Sequence, residues 1–255
     1  MASKAIGKIG SFAFAVFAFL DKHPCNAFAP GNVVTAAWGK APVTSAVFMS
    51  DGGLGQSLDP KETAIVLIEY QNEFTTEGGG LHNAVKECMV KTNMLENSSK
   101  LMNAMRDAGC LIVHLPISFE KGHEEISGAY GILSAVKEGG AFQRNSWASD
   151  FHQRMRPAHN DIVIRGKLGL CGFHSTNLDF ILRQKGVKNV VLGGFLTNCC
   201  VESTMRTAYE HGYNVITLKD CTSATSVGGH EAAFEHNFGM FSTIGSSDDV
   251  IRALQ

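Results

Sequence analysis

Two adjacent cysteines, Cys199 and Cys200, are the residues of this 255-residue sequence best placed for nucleophilic chemistry. They lie in the segment GFLTNCCV (194–201), where an apolar run gives way to an amphipathic one. At such a turn into a helix, unpaired amides and the positive end of the helix dipole favour a thiolate, and the same amides can hold a developing oxyanion. Either thiol is therefore a candidate for attack on a carbonyl carbon, with a covalent intermediate as the product.

A nucleophilic thiol needs a base, and two charged residues stand at equivalent places after other apolar runs. Glu69 follows the run at 64–68, and Lys167 comes shortly after the run at 161–164. Glu69 can take the thiol proton and deliver it to the leaving group, while Lys167 can orient that carboxylate and the substrate. Each residue alone is a weak signal, because single cysteines usually pack in cores and single lysines are usually solvated. The set of three predicts an active site.

Alternating apolar runs and amphipathic segments after residue 60 indicate the scaffold that would hold these residues. Strands buried on both faces and separated by helices predict an α/β fold, a doubly wound, mainly parallel six-stranded sheet with helices on both faces. Ligands of such sheets bind outside the carboxyl ends of the strands, where the three candidates stand. The predicted strands are 64–68, 110–114, 161–164, 189–192, 214–218 and 240–244, and the predicted helices are 90–106, 177–184, 200–211, 229–237 and one from Asp248, capped by Ser246 or Ser247.

Three segments resemble the signature motifs of the isochorismatase-like cysteine hydrolases, and they occur in the order that the family has. The resemblance covers roughly residues 60–245 and implies the hydrolase fold and a cysteine-dependent hydrolysis. The segments are EYQNEF at 69–74, Lys167 followed by CGF at 171–173, and TNCCVEST at 197–204.

The resemblance selects among the candidates for catalysis. It places the nucleophile on Cys200, because Val201 follows this residue and Thr197 stands three residues before it. Cys199 is then the variable neighbour, and the family's lysine corresponds to Lys167.

The resemblance also implies the form of the nucleophile turn. Family members have a non-proline cis peptide at the position of Phe195–Leu196, and the oxyanion donors would be the backbone N–H groups of Leu196 and Cys200. One position departs from the family pattern, since Glu69 stands where the family has Asp. Glu offers the same carboxylate chemistry on a longer arm, so the substrates of Asp-containing relatives do not transfer directly.

The leading functional hypothesis is a hydrolase that cleaves a small amide, ureide or related C–N bond through a Cys200 thioester. A first alternative is isochorismate hydrolysis, which cleaves a vinyl ether, releases pyruvate and needs no thiol. A second is a non-catalytic binding protein that keeps the fold. The rate of alkylation tests the non-catalytic alternative, because an activated Cys200 should react with iodoacetamide faster than an ordinary thiol.

A nicotinamidase would need an Asp/His metal cluster shortly after the second strand. That region has no Asp-x-His motif, and only His114, Glu120 and His123 could act as ligands there. We therefore expect neither a catalytic metal nor a cofactor.

Residues beside the signature segments are the candidates for the substrate pocket, since small-ligand sites combine apolar walls with a few polar groups. Gly78, Gly79 and Gly80 form either a mobile loop over that pocket or an ordinary solvent turn. The pocket candidates are Tyr70, Gln71, Phe119, Trp147, Phe173 and Thr197.

Residues 1–55 read as a presequence, and residues 56–255 as the hydrolase domain. Lys4 and Lys8 precede an apolar stretch at 9–20 that is too short to span a bilayer but suits a secretory signal. The following NAFAP (26–30) resembles the cleavage signature of diatom-type plastid presequences, which predicts a signal at about 1–27, a transit-like segment at about 28–55 and a location in an algal plastid. The alternative is a cytoplasmic protein that retains this segment as an N-terminal arm.

Composition bounds the partners. The formal charge is −2, with no Lys/Arg run, and residues 51–255 carry 18 basic against 23 acidic side chains, which argues against nucleic acid. We expect a small-molecule substrate, no stable membrane association and, from the family resemblance, a homo-oligomer. The seven cysteines have no CxxC spacing and indicate free thiols in a reducing compartment.

Overall fold

The computed structural model describes residues 54–128 and 130–255, so nearly all of the predicted presequence lies outside the described residues. The described strands are β1 (Thr63–Ile68), β2 (Leu111–Leu115), β3 (Ile162–Val163), β4 (Asn189–Phe195), β5 (Asn214–Ser223) and β6 (Thr243–Gly245). They form one sheet in the order β3-β2-β1-β4-β5-β6, and every neighbouring pair is parallel. The predicted fold class is confirmed.

Helices cover both faces of this sheet. The α-helices of the described residues are α1 (Asn72–Thr75), α2 (His82–Lys91), α3 (Met94–Asp107), α4 (Gly131–Gly139), α5 (Leu178–Gln184), α6 (Glu202–Glu210), α7 (Val227–His236) and α8 (Ser247–Ala253), with short 3₁₀ turns at Pro60–Glu62, Gln153–Met155 and Phe238–Met240. Apolar side chains of α2, α3, α4 and α8 build the core on one face, and those of α5, α6 and α7 build it on the other. Among the described residues, no helix has the length and hydropathy needed to cross a bilayer.

The centre of the sheet brings the ends of β1 and β4 unusually close together. All residues of both strands are buried, as expected for strands covered on two faces. Gly194 has a φ of +135°, and a Cβ there would lie 2.1 Å from the Ile68 carbonyl oxygen. Only glycine fits this position, and it allows the segments that follow the two strands to meet.

The helix predicted at 90–106 corresponds to α3, which starts later than predicted, and α2 before it was not predicted; Asn93 separates the two helices. This residue adopts a left-handed φ of +50°, which asparagine tolerates better than most residues, and α3 begins directly after it. Helix α4 was not predicted from the sequence, and Val136 is its one buried side chain. The last helix begins at Ser247, capped by Ser246 in a capping box with Asp249.

Candidate active site

Glu69 lies directly after β1, at the centre of the sheet, and its side chain is buried. Its φ of +59° falls in the left-handed region that few non-glycine residues adopt. Two backbone hydrogen bonds hold this bend, since Glu69 N–H donates to the Leu115 C=O at 3.0 Å and Gln71 N–H donates to the Glu69 C=O at 2.7 Å. The bend places the carboxylate, on a residue only 2% exposed, against Lys167.

Lys167 is as deeply buried as Glu69 and pairs with it. Its Nζ donates hydrogen bonds to Glu69 Oε1 and to the Gly169 C=O, the latter at 2.7 Å. A parallel backbone bridge to Ile117 holds the Lys167 segment beside the chain that leaves β2. Burial alone would lower the pKa of Lys167, but the Glu69 carboxylate and the nearby cysteines raise it overall. The ammonium group therefore stays charged at neutral pH.

Cys200 lies on a single π-helical turn, Thr197–Val201, that joins β4 to α6. The Leu196 C=O accepts hydrogen bonds from the N–H groups of Cys199 and Val201, at 3.0 and 3.1 Å. These bonds close the turn and leave the Cys200 amide at the amino end of the helix, where unpaired N–H groups gather.

The peptide between Phe195 and Leu196 is cis, the form that the family resemblance implies. It lies immediately before the turn that carries Cys200. That the backbone N–H groups of Leu196 and Cys200 hold an oxyanion stays a prediction.

Thr204 connects the nucleophile turn to the Lys167 segment. Its Oγ1 donates to the Cys200 C=O at 2.7 Å and accepts from the Gly172 N–H at 2.9 Å. A Cβ at Gly172 would lie 2.4 Å from Leu115 Cδ2 and 3.2 Å from Thr204 Cγ2, so this approach requires glycine. The glycine of the CGF segment thus sets the spacing between the two parts of the site.

The surroundings of Cys200 favour its protonated thiol. A hydrogen bond with the Cys199 thiol, then burial, then the charge of Glu69 raise the pKa of Cys200 well above its ordinary value, while Lys167 acts in the opposite direction. The same thiol–thiol bond lowers the pKa of Cys199. The helix end favours a thiolate, whereas burial and the neighbouring groups act in the opposite direction at Cys200, so the reactivity of this thiol stays a prediction. A neutral thiol needs a base, and the Glu69 carboxylate is close enough for its charge to act on the sulfur.

Two of the pocket candidates are already committed to the protein's own hydrogen bonds. The Tyr70 hydroxyl is buried against Ser98 Oγ at 2.7 Å and donates to the Cys221 C=O at 2.8 Å. The Gln71 amide donates to the C=O groups of Ile117 and Ser149 and accepts from the Ile117 N–H, all at 2.8 to 2.9 Å. The polar groups of both side chains are thus used within the protein, and a role for either residue in the substrate pocket stays a prediction.

The three apolar pocket candidates lie in different environments. Phe119 is fully buried and stacks on His123, with ring centroids 5.2 Å apart, and so belongs to the core. Phe173 packs against the ring of Tyr213 at 6.1 Å, on the opposite face of the sheet. Trp147 is half exposed, and its ring lies 3.8 Å from where a Cβ of Gly78 would stand. The sixth candidate, Thr197, is fully buried on the nucleophile turn.

The three possible metal ligands do not come together. His114 Nε2 lies 3.1 Å from Asp161 Oδ2, Glu120 pairs with Arg144, and His123 Nε2 lies 2.6 Å from the Ala141 C=O. Within the part of the chain that the structure describes, no three His, Cys, Asp or Glu side chains are grouped so that they could hold a metal ion.

Glu73 is a buried residue near the site to which no role was assigned from the sequence. Its Oε1 accepts from the Gly80 N–H at 2.6 Å, and its Oε2 accepts from the Phe142 N–H at 2.9 Å. A Cβ at Gly80 would lie 2.6 Å from that first oxygen. Glu73 therefore clamps the glycine segment to the loop at Phe142. The one sequence feature that could have drawn attention to Glu73 is its position four residues after Glu69.

Comparisons with known proteins agree with this architecture. A family model described as "Isochorismatase domain" matches residues 63–249. Among curated proteins, the ureidoacrylate amidohydrolase RutB of Rhizobium rhizogenes is 30% identical over 178 residues, which cover 65% of this chain and 72% of that protein.

Solved structures are also similar. The N-carbamoylsarcosine amidase of Thermoplasma acidophilum is 26% identical, with a TM-score of 0.58 over 73% of this chain and 97% of its own. A cysteine hydrolase of Pseudomonas syringae pv. phaseolicola has a TM-score of 0.70 over 81% of this chain and 98% of its own. At 23% identity, the second likeness is one of fold.

Proposed function

This chain belongs to the isochorismatase family of hydrolases, and we propose that it cleaves the carbonyl C–N bond of a small amide or ureide through a thioester on Cys200. The observation that carries the proposal is the buried Lys167–Glu69 ion pair, whose charges act on a protonated Cys200 thiol. Two relatives support the substrate class, since they are named for ureidoacrylate and for N-carbamoylsarcosine. Both names denote amide-bond hydrolysis of a small molecule.

The first half-reaction transfers the acyl group to the sulfur. Glu69 takes the thiol proton while the Cys200 sulfur attacks the carbonyl carbon and forms a C–S bond. When the tetrahedral intermediate collapses, the C–N bond breaks and Glu69 gives its proton to the leaving nitrogen. Lys167 holds the carboxylate in place and offsets its charge, so that the base can be buried without becoming permanently protonated.

The second half-reaction releases the product with water. Glu69, ionised again, takes a proton from a water molecule while the oxygen of that water attacks the thioester carbon. The C–S bond then breaks, and the proton returns to the sulfur. Backbone N–H groups of Leu196 and Cys200 would stabilise the oxyanion in both halves, because a helix amino end presents donors to negative charge.

A substrate panel tests this proposal. The full chain and its Cys200→Ala variant are incubated with ureides, N-carbamoyl amino acids, simple amides, nicotinamide and isochorismate, and ammonia, amine and pyruvate are measured. We expect C–N hydrolysis of a ureido or carbamoyl compound that is absent from the variant. Pyruvate release from isochorismate that survives alkylation would support the vinyl-ether alternative, and binding without turnover would indicate a non-catalytic protein.

Assembly and location are separate proposals. We propose a homo-oligomer, which exposed apolar side chains such as Phe180 and Trp147 support, at 67% and 52% exposure. Light scattering after size-exclusion chromatography tests the oligomeric state, and a monomer at micromolar concentration would contradict the proposal.

We also propose that residues 1–55 are a plastid presequence, supported by the NAFAP signature. Mass spectrometry of the native protein should find a new N-terminus at Phe28 or between there and residue 55, and an intact Met1 or Ala2 end would contradict it.

A further inference from the structure

His230, on α7, makes a buried contact with the turn that carries Cys200. Its Nδ1 lies 2.9 Å from Thr197 Oγ1, and both residues are almost completely buried, at 2% and 0% exposure. The same helix end also approaches the next residue of the turn, since a Cβ at Gly229 would lie 3.4 Å from Asn198 Nδ2. The amino end of α7 therefore rests on the nucleophile turn.

The other ring nitrogen of His230, Nε2, forms no hydrogen bond of ordinary length, although the Lys219 backbone lies near enough to act on the ring. Nε2 is buried, and the ring packs against Phe234 with centroids 5.0 Å apart. Burial, and then the charge of Lys219, lowers the pKa of His230 to about 4, so the ring is neutral at pH 7. The neutral ring can hold this contact in either tautomer, with Nδ1–H donating to the Thr197 hydroxyl or Nδ1 accepting from it.

A buried imidazole in this place costs stability, and its hydrogen bond to Thr197 is the feature that an apolar side chain could not supply. An apolar side chain of similar size would fill the same space without an unpaired nitrogen, and burying a polar atom without a partner is costly. The bond reaches Thr197, the first residue of the turn, which also follows the cis peptide and stands three residues before Cys200. The bond thus ties the start of the turn to a helix that contributes no residue to the triad.

We propose that His230 is a positioning residue, which fixes the turn carrying Cys200 through its hydrogen bond to Thr197. The catalytic part of this inference rests on the proposed function of Cys200. The geometric part does not, because the reactivity of Cys200 toward a simple alkylating agent can be measured without a substrate.

Three variants of the full chain test the proposal. His230→Asn keeps a hydrogen-bonding group close to the position of Nδ1, whereas His230→Leu removes it and fills the space. Phe234→Leu is the matched control, because Phe234 is buried on the same face of α7 one turn later, and its ring pairs with His230 and Phe238. Thermal unfolding shows that each variant is folded before it is compared.

The first readout is the rate at which iodoacetamide alkylates Cys200, located by peptide fragmentation. We expect His230→Leu to raise this rate at least about threefold, because a loosened turn exposes the buried sulfur more often. In His230→Asn and Phe234→Leu, the alkylation rate of Cys200 should rise less than about threefold. A smaller rise in His230→Leu, or an equal rise in Phe234→Leu, overturns the proposal.

The second readout is kinetic, on whichever substrate the panel identifies. His230→Leu should lower kcat about 10- to 100-fold and leave KM within about threefold, because misplacing the nucleophile affects the transition state more than binding. His230→Leu should have no further effect on kcat in a Thr197→Val background, and an additive loss overturns the proposal. If no substrate is hydrolysed, the proposed function fails, and the alkylation rates still decide the role of His230.

Discussion

Lys167 and Glu69 form an ion pair in which both side chains are buried, and Lys167 Nζ also donates a hydrogen bond to the Gly169 C=O at 2.7 Å. Such pairs contribute little net stability, because desolvation offsets their attraction, but each partner depends strongly on the other. The pair holds the proposed base in a buried site beside a positive charge. It therefore ties the stability of the fold to the chemistry proposed for Cys200.

Lys167→Met should destabilise the protein and abolish hydrolysis. It leaves the Glu69 carboxylate buried without a counter-charge, which costs about 3–5 kcal/mol in the free energy of unfolding measured by urea. The double variant Lys167→Met/Glu69→Gln should regain part of that stability, but no activity. Lys185→Met, at an exposed position, should change stability by less than about 0.5 kcal/mol. Equal unfolding curves for Lys167→Met and wild type would contradict the pairing.

Glu69→Gln should lower kcat about 10²- to 10⁴-fold, because it removes the base and keeps the shape. Glu69→Asp should lose less, since it keeps a carboxylate and Asp adopts the left-handed backbone of this position more readily than most residues. Steady-state kinetics on the best substrate measures both variants. A Gln variant as active as the Asp variant would show that Glu69 is not the base.

Glu73→Gln should loosen the clamp between Gly80 and Phe142. An amide oxygen can accept from only one of the two backbone N–H groups, so either the exposed Gly80 or the buried Phe142 loses its partner, and the loss at Phe142 costs about 1–3 kcal/mol. Urea unfolding measures the loss, and faster proteolysis near Gly80 should accompany it. Glu77→Gln, an exposed change four residues away, is the control and should be neutral. A Glu73→Gln protein as stable as this control would argue against the clamp.

Titration of His230 should make the free energy of unfolding depend on pH. Its pKa falls from 6.5 to about 4 on folding, so the unfolded chain binds more protons between these values and the free energy of unfolding falls as the pH falls from 6.5 toward 4. The loss from this group is about 3 kcal/mol. His230→Asn should lack it, while other titrating groups such as His114 act equally in both proteins. Urea midpoints that run parallel for the two proteins across this pH range would contradict the assignment.

The three candidate catalytic residues could be predicted from the sequence because each of them follows a strand that its apolar run identifies. Apolar runs identified the central strands, and the rule that ligands bind at their carboxyl ends brought Glu69, Lys167 and Cys200 to one place. The family resemblance then distinguished Cys200 from Cys199, which turn chemistry alone could not do.

Side-chain direction and burial could not be predicted in the same way. Tyr70 directly follows Glu69 in sequence, but Glu69 lies at a left-handed bend and the Tyr70 hydroxyl lies in the core against Ser98. The proton on Cys200 depends on burial and on the Cys199 thiol, which a helix-end argument does not include. His230 stood in no recognised motif, and only the folded structure places it against Thr197.

The thioester on Cys200 is the central claim, and intact-mass spectrometry of rapidly quenched reactions tests it most directly. During turnover of the best substrate, the protein should gain the mass of the acyl group, and peptide mapping should locate it on Cys200. Cys199→Ala should keep the adduct and at least about a tenth of wild-type kcat, because Cys199 tunes the thiol but forms no bond to the substrate. Cys200→Ala should show neither adduct nor turnover. Undiminished turnover by a folded Cys200→Ala protein would contradict the account.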